Sequence, residues 1–599
     1  MIYHCEDHTC NYWDEGEKLP ERCPQCGRKL LRANEADMTG DDWTALGNTL
    51  WDAEASDKKR MVDCFRKAAY LGSAWGVCNL GICMEQGNGV EADPVQAFWL
   101  YQQAVEMGSL NAVCCLGVCY QYGIGTAPDA KQAAELYCKA AEYGSPRGQM
   151  LLARAFHDGI GVEADAAEAV YWVRAAAYQR YGEGMHRLGV CYEYGDGVEQ
   201  NWERAVHWFR EAAESGVGVA MTDLGYCYEK GCGVEQSWEQ AFSWYRRGAE
   251  CGDPVSMCNL GYCYEKGCGV EQNWQEAIKW YEQGAQCGDL QSMHNLACCY
   301  EGGEGVEQNE DRAFYWYRRS AEGGHGSAMC NLGRCYKRGY GVEQNWQEAV
   351  KWYEQGAQCG NLQSMHNLAC CYEHGEGVEQ NMTEAIRWYT AAAEGGNADD
   401  MYELGWQYDH GEGVEQDMKK AICWYERAAE QNHPAAMNSL GECYAMGRGV
   451  PRDLETAMEW YRRAAELGEA MADYNMGWHL EQAGKLSEAY THYRKAADGN
   501  DDSAWWALGR FYENGVVVAQ DGKEARRCYE TGEKLGSVKC KMRLARCKLL
   551  GIGGRRAKKA GLDLCRQALE LAKESSEKED YGYEAEMNLL RRTIAENES

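Results

Sequence analysis

Proline is scarce, with 8 residues in 599, and long apolar runs are missing altogether. With 45% hydrophobic residues, so few prolines point to packed regular structure rather than a disordered chain. No run of about 18 apolar residues is present to form a membrane-spanning helix. Positive charge is in deficit: 61 Lys and Arg against 93 Asp and Glu leave a formal charge of -32. The first residues, MIYHCEDHTC, lack the basic start and apolar stretch of a secretory leader, so a cytoplasmic location is expected. The 32 cysteines make up about 5% of the chain, below the roughly 8–10% of disulfide scaffolds, and are expected to be mostly buried thiols.

What the chain has in abundance is repetition. The pair Leu80-Gly81 opens a series in which the same landmark returns every 36 residues, through twelve units in register, to Met476-Gly477. A degenerate unit precedes at Leu46-Gly47 and two follow, at Leu508-Gly509 and Leu544-Ala545, giving about fifteen. Within a unit, Ala220, Leu224, Gly225 and Tyr228 mark one face of a helix, and Ala241, Trp244, Tyr245 and Ala249 mark a second. Between them Gly231-Cys232-Gly233-Val234 supplies two glycines able to end one helix and turn. The second helix starts at an oxygen-bearing cap such as Asp93, Asn201, Ser237 or Asn273, and Ser237/Gln240, Asn273/Glu276, Asn345/Glu348 and Asn381/Glu384 predict capping boxes. Each unit is therefore a helical hairpin, helix A then helix B. A lone hairpin cannot bury both apolar faces, so neighbours must stack, and the expected fold is an all-α, α/α superhelical solenoid with a concave and a convex surface. Residues 269–301 recur at 341–373 with only Ile278→Val350 and Asp289→Asn361 changed, the trace of a duplicated two-unit block.

The region before the repeats differs in kind. Cys5 and Cys10 precede Cys23-Pro24-Gln25-Cys26-Gly27, a turn that aims two thiolates at one metal. The first pair is irregular, with His8 as an alternative ligand; zinc, iron and plain thiols all fit this pattern. Four protein ligands leave no open position, so the expected role is structural.

The pattern A-x3-LG-x2-Y-x2-G-x-GV followed by x-A-x2-WY-x2-AA-x2-G closely resembles the Sel-one-like repeat (SLR), a relative of the tetratricopeptide repeat. The resemblance covers about 40–573, implies a right-handed superhelix and a protein-interaction scaffold, and leaves 574–599 as a C-terminal capping helix. The stretch YHCEDHTC…LPERCPQCG resembles a rubredoxin-like zinc ribbon over 1–33, with one structural zinc held by Cys5, Cys10, Cys23 and Cys26. The cysteine-rich secreted branch fits poorly, because only Cys251/Cys258 has comparable spacing.

By analogy with tetratricopeptide repeats, the positions three before, one after and four after the landmark glycine should face the concave groove. They include Tyr226, Cys258, Tyr262, Glu265, His294, Glu301, Arg334, His366 and Glu373, which form the candidate partner-binding surface. His294/Cys298 and His366/Cys370 share one helix face at a spacing that can bind metal. The Glu row at the third position would favour a cationic peptide or merely form solvated helix ends. Asn79, Asn259, Asn295, Asn331, Asn367 and Asn475 could hold a peptide backbone or tie hairpins together. A tryptophan stripe on helix B and the cysteines two after the landmark glycine read as core. Lys534 to Arg566 is strongly basic and could bind phosphate, dock on an acidic surface, or be a solvated cap.

No small-molecule substrate, nucleic-acid motif or membrane contact is expected. Loops such as Gly87-Asn88-Gly89 lack the strand and third glycine of a phosphate loop, and Ser56/Lys59 lack the partner motifs of penicillin-recognising enzymes. The expected function is a non-enzymatic scaffold. The alternatives are a hydrolase of lactam or cell-wall substrates, carried by resemblance alone, and a nucleic-acid binder using the zinc ribbon and the basic end.

Overall fold

The computed structural model describes the backbone of residues 2–5, 13–15, 30–32, 38–51, 55–578 and 584–598, and side chains over 38–51, 57–573 and 584–597. The described residues form 31 helices, thirty of them paired as fifteen A/B hairpins and one, Glu584–Glu598, at the end. Three short strands precede them: β1 (Ile2–Cys5), β2 (Trp13–Glu15) and β3 (Leu30–Arg32), antiparallel in the order β2-β1-β3. Cys5 closes β1; the other expected zinc ligands, His8, Cys10, Cys23 and Cys26, lie outside the described residues. The chain divides into two compact units, Met1–Asn309 and Glu310–Ser599.

One hairpin explains the rest. Helix A, Pro254–Lys266, starts at Asp253, whose carboxylate accepts the Ser256 N–H at 2.7 Å, with proline at the first helical position where no N–H is needed. It ends at Gly267, φ 73°, whose N–H donates to the Cys263 carbonyl. Gln272 then reaches back and donates to the Glu265 carbonyl at 2.8 Å, satisfying another orphan acceptor of the last turn. Helix B, Trp274–Gln286, starts at Asn273, which accepts the Glu276 N–H at 3.2 Å. The reciprocal half of the expected capping box is not made here. Glu276 pairs instead with Lys279 at 3.2 Å, as Glu348 does with Lys351 and Glu384 with Arg387, because an i,i+3 lysine or arginine offers full charge where the cap offers one amide.

Stacking uses two glycines. A Cβ on Gly261 would lie 2.6 Å from the Tyr281 ring, so the landmark glycine lets a helix-B tyrosine slide beneath helix A. A Cβ on Gly269, φ +71°, would lie 2.2 Å from the Trp238 carbonyl oxygen, so the second loop glycine lets the turn press on the preceding helix B. Within each unit of the chain, helix A packs on the helices B before and after it and in most hairpins touches a neighbouring helix A, whereas among the described residues no two helices B come comparably close. The A helices thus crowd along one side.

The core differs from expectation in one column. The helix-B tryptophans are only half-buried: Arg247 covers Trp244 at 4.2 Å from the ring centre and Arg427 covers Trp424 at 4.2 Å. The next position is the fully buried one, held by tyrosine in eleven hairpins from Tyr101 to Tyr529, seven of which follow a tryptophan. The cysteines two after the landmark glycine are buried as expected, and burial pushes Cys191 and Cys443 up to about 11 and Cys227 and Cys263 up to about 12. Such thiols are unreactive at neutral pH.

Candidate partner-binding groove

The row of carboxylates four after the landmark residue is neither bare nor merely solvated. Glu265 accepts the Tyr281 hydroxyl at 2.7 Å, and the same bond joins Glu85 to Tyr101, Glu229 to Tyr245 and Glu373 to Tyr389. Burial, then the adjacent carboxylate, raises the Tyr281 pKa, so the phenol stays neutral and donates. Lys266 sits 2.7 Å from Glu265 and Lys230 2.7 Å from Glu229. These carboxylates are therefore spoken for, and they anchor the aromatic ring of their own hairpin.

The other expected positions separate into surface and interior. Tyr226 and Tyr262, one after the landmark, are 44% and 41% exposed on helix A, with the Lys230 ammonium 5.8 Å from the centre of the Tyr226 ring. Cys258, three before it, is buried beneath Asn295, whose side-chain amide donates to its sulfur at 3.7 Å, which removes it from the recognition surface. His294, Glu301 and Arg334 are half-buried. His294 and His366 each hold the cysteine four residues on, at 3.8 Å to Cys298 and 3.6 Å to Cys370. Asn367 donates to Cys330 and Asn475 to Asn438, so the asparagine ladder ties one hairpin to the next.

His366 has a further partner. Its Nδ1 lies 2.7 Å from the carboxylate of Asp400, which is fully buried. The Asp400 hydrogen bond, followed by Cys370, raises the His366 pKa to about 10, overcoming the opposite effect of burial. Burial raises Asp400, and the imidazolium is what offsets that cost.

The basic segment is also partly internal. Arg543 grips the Glu586 carboxylate through two bonds of 2.6 and 2.7 Å and reaches Glu513 at 3.3 Å, while Arg546 also pairs with Glu513. Arg556 donates to Asn597 at 2.6 Å. These arginines hold the terminal helix Glu584–Glu598 in place instead of offering a phosphate site.

Between the two end hairpins of the array, one departs from the rule in landmark, anchor and ring together. In helix A Pro146–Asp158 and helix B Ala166–Tyr178, the landmark glycine is Ala153, the anchoring carboxylate is His157, and the core ring is replaced by Val173. A cavity of about 350 Å³ opens there. Ala153, Val170, Val173 and Cys191 form its apolar floor; Arg154, His157, Arg187 and Asp196 form its rim. His157 places Nδ1 2.7 Å from Asp158 and Nε2 3.2 Å from Asp196. The His157 hydrogen bond, aided by Arg154, holds Asp158 below the usual carboxylate range. The signal was present in the sequence as a tryptophan, Trp172, not followed by an aromatic.

Among the described residues no helix is long and apolar enough to cross a membrane, and no group of three or more His, Cys, Asp or Glu is disposed to hold a metal.

A family model described as the Sel1 repeat matches thirteen successive segments, from 76–109 and 112–145 through 470–501 and 504–537. The protective antigen c5321 of uropathogenic Escherichia coli, which displays an SLR fold, is 32% identical over 75% of this chain and 97% of its own, with a TM-score of 0.50. A Sel1 repeat protein from Oxalobacter formigenes is 31% identical over 41% of this chain and 96% of its own, with a TM-score of 0.38. No curated protein matches the chain. Proteins built of Sel1 repeats are generally protein-interaction scaffolds. Matched over most of its length, segment after segment at the positions where the hairpins lie, the chain belongs to the Sel1 repeat family.

Proposed function

We propose that this chain is a non-enzymatic scaffold that binds a partner protein or peptide along the face built by its A helices, in the manner of a right-handed superhelical repeat. The observation that carries the reading is the contrast within that face: Cys258, Glu265 and the asparagines are engaged internally, while Tyr226 and Tyr262 are left exposed at the same position of successive hairpins. Exposed tyrosines supply large contact area at small entropic cost, which is why they recur at binding hot spots. The charge of -32 favours a cationic partner through long-range steering, although the groove carboxylates themselves are already paired. Affinity capture with the full chain is the test. A partner retained by the native chain and lost from the Tyr226→Ala/Tyr262→Ala variant is expected; equal retention defeats the reading.

The N-terminal segment is proposed to hold one structural zinc through Cys5, Cys10, Cys23 and Cys26, with His8 as alternative to Cys10. The C-P-x-C-G spacing supports this. Elemental analysis should give one zinc per chain, lost on changing Cys23 and Cys26 to Ser. The cytoplasm is the proposed location, in keeping with 28 described cysteines that are all free thiols.

A further inference from the structure

We infer that the cavity over Val173 is a receptor for one aromatic side chain, a tyrosyl ring presented by a bound partner segment. The argument starts from what fills this position elsewhere. Eleven hairpins place a fully buried tyrosine there, and the next one along places Phe209 beneath Gly189. Hairpin 146–178 keeps the same helix lengths and the same left-handed glycine cap at Gly159, φ 70°, but omits the ring. The void is thus the mould of a side chain that the repeat normally supplies for itself.

Its chemistry matches that occupant. The volume, about 350 Å³, falls at the lower end of small-ligand sites and exceeds the roughly 150 Å³ in which an engineered lysozyme cavity binds benzene. The floor is apolar, and His157 with the Asp158 and Asp196 carboxylates stands where Glu265 receives the Tyr281 hydroxyl in a regular hairpin. A tyrosyl ring lying across the floor with its hydroxyl turned to the rim would find acceptors in the Asp158 and Asp196 carboxylates. Access also fits. Arg154 and His157 are exposed on helix A at the rim, Arg154 at the position Tyr226 and Tyr262 hold in their hairpins, so a segment lying along the A helices passes over the mouth. The source of the ring rests on the groove reading proposed above; the selectivity of the cavity does not.

The probe is p-cresol, the tyrosine side chain freed of its backbone, titrated into the full chain and followed by calorimetry and by crystallography. One saturable site is expected beside Val173. Val173→Tyr, which restores the ring from within, should weaken p-cresol by about tenfold or more, and 4-methylcyclohexanol, of similar outline but saturated, should bind the native chain about tenfold more weakly. Absence of saturable p-cresol binding, unchanged binding by Val173→Tyr, or equal binding of the saturated analogue overturns the proposal. Should Val173→Tyr fail to fold, Tyr245→Val carries the test: by opening a second mould it should raise the stoichiometry from one p-cresol to two, and a value of one overturns the proposal. Binding of p-cresol together with failure to capture any partner through Tyr226 and Tyr262 sustains the cavity's ring selectivity and refutes the scaffold reading instead.

Discussion

Hairpins 254–286 and 146–178 have helices of the same length, the same type of glycine cap and a side-chain cap at each helix start, yet one is plugged by Tyr281 and the other is hollow. The difference separates two jobs that a consensus merges. Caps and loop glycines set the path of the chain, since both hairpins follow it; the ring adds stability and fills space, since one hairpin does without it. Removing the ring from the plugged hairpin therefore gives the largest effect of any change considered. Tyr281→Ala should cost about 3–5 kcal/mol. Tyr281→Phe, which loses only the bond to Glu265, should cost about 1.5 kcal/mol. Repeat arrays need not unfold in one step, so the measurement is amide hydrogen exchange over 254–286.

The path-setting residues provide the next contrast. Gly269→Ala forces a side chain into left-handed backbone and against the Trp238 carbonyl, which is itself fixed in a helix, and should cost about 3 kcal/mol by the same measurement. Gly261→Ala should cost about 1 kcal/mol or less. Its new methyl meets the Tyr281 ring first, the added helix propensity of about 1 kcal/mol compensates, and Ala369 already stands at this position in the core that holds Tyr389.

A smaller effect belongs to His366 and Asp400. Asp400 takes the place held by serine in three earlier hairpins, Ser256, Ser292 and Ser364. His366→Ala leaves a buried carboxylate without its cation and should cost about 2 kcal/mol, less than a fully buried pair because the imidazole is 25% exposed. Asp400→Ser added to that variant should restore most of the loss. A histidine raised to about 10 in the folded chain contributes its stability fully below its unfolded value near 6.5 and loses it as pH climbs from there to about 10. Urea denaturation across that range should show this alkaline loss in the native chain and not in His366→Ala/Asp400→Ser.

These contrasts also mark what the sequence could and could not disclose. Helix boundaries, loop turns and the hairpin count follow from local rules repeated with a fixed period, and Asp253, Gly267 and Asn273 do what their residue types dictate. The bond from Tyr281 to Glu265 was hidden because it spans 16 residues across a turn, where periodicity within one helix says nothing about which side chains meet. The same gap left Cys258 assigned to the groove, since a face that looks outward on one helix is covered by Asn295 of the next. Nor could charge counting reveal that Arg543 and Arg546 face inward, because their partners, Glu513 and Glu586, lie 30 to 43 residues away. The hollow hairpin was legible in principle. Ala153, His157 and Val173 all depart from the repeat, but each departure alone is a mild substitution, and only their meeting in space makes a cavity.

The smallest expected effect is a gain. Val173→Tyr returns to hairpin 146–178 the ring its neighbours carry, and filling an apolar void commonly adds about 1 kcal/mol. Ala153 in place of glycine need not block it, as Tyr389 is accommodated in the same core as Ala369. The hydroxyl would face His157 rather than a glutamate, so the gain should fall short of the cost of Tyr281→Ala, which loses both ring and carboxylate bond. Slower hydrogen exchange confined to 146–194 would place the new ring beneath helix A as in the regular hairpins. Faster exchange would mean that the His157, Asp158 and Asp196 cluster resists desolvation by a fixed ring, and that this hairpin diverged to keep its polar rim in water.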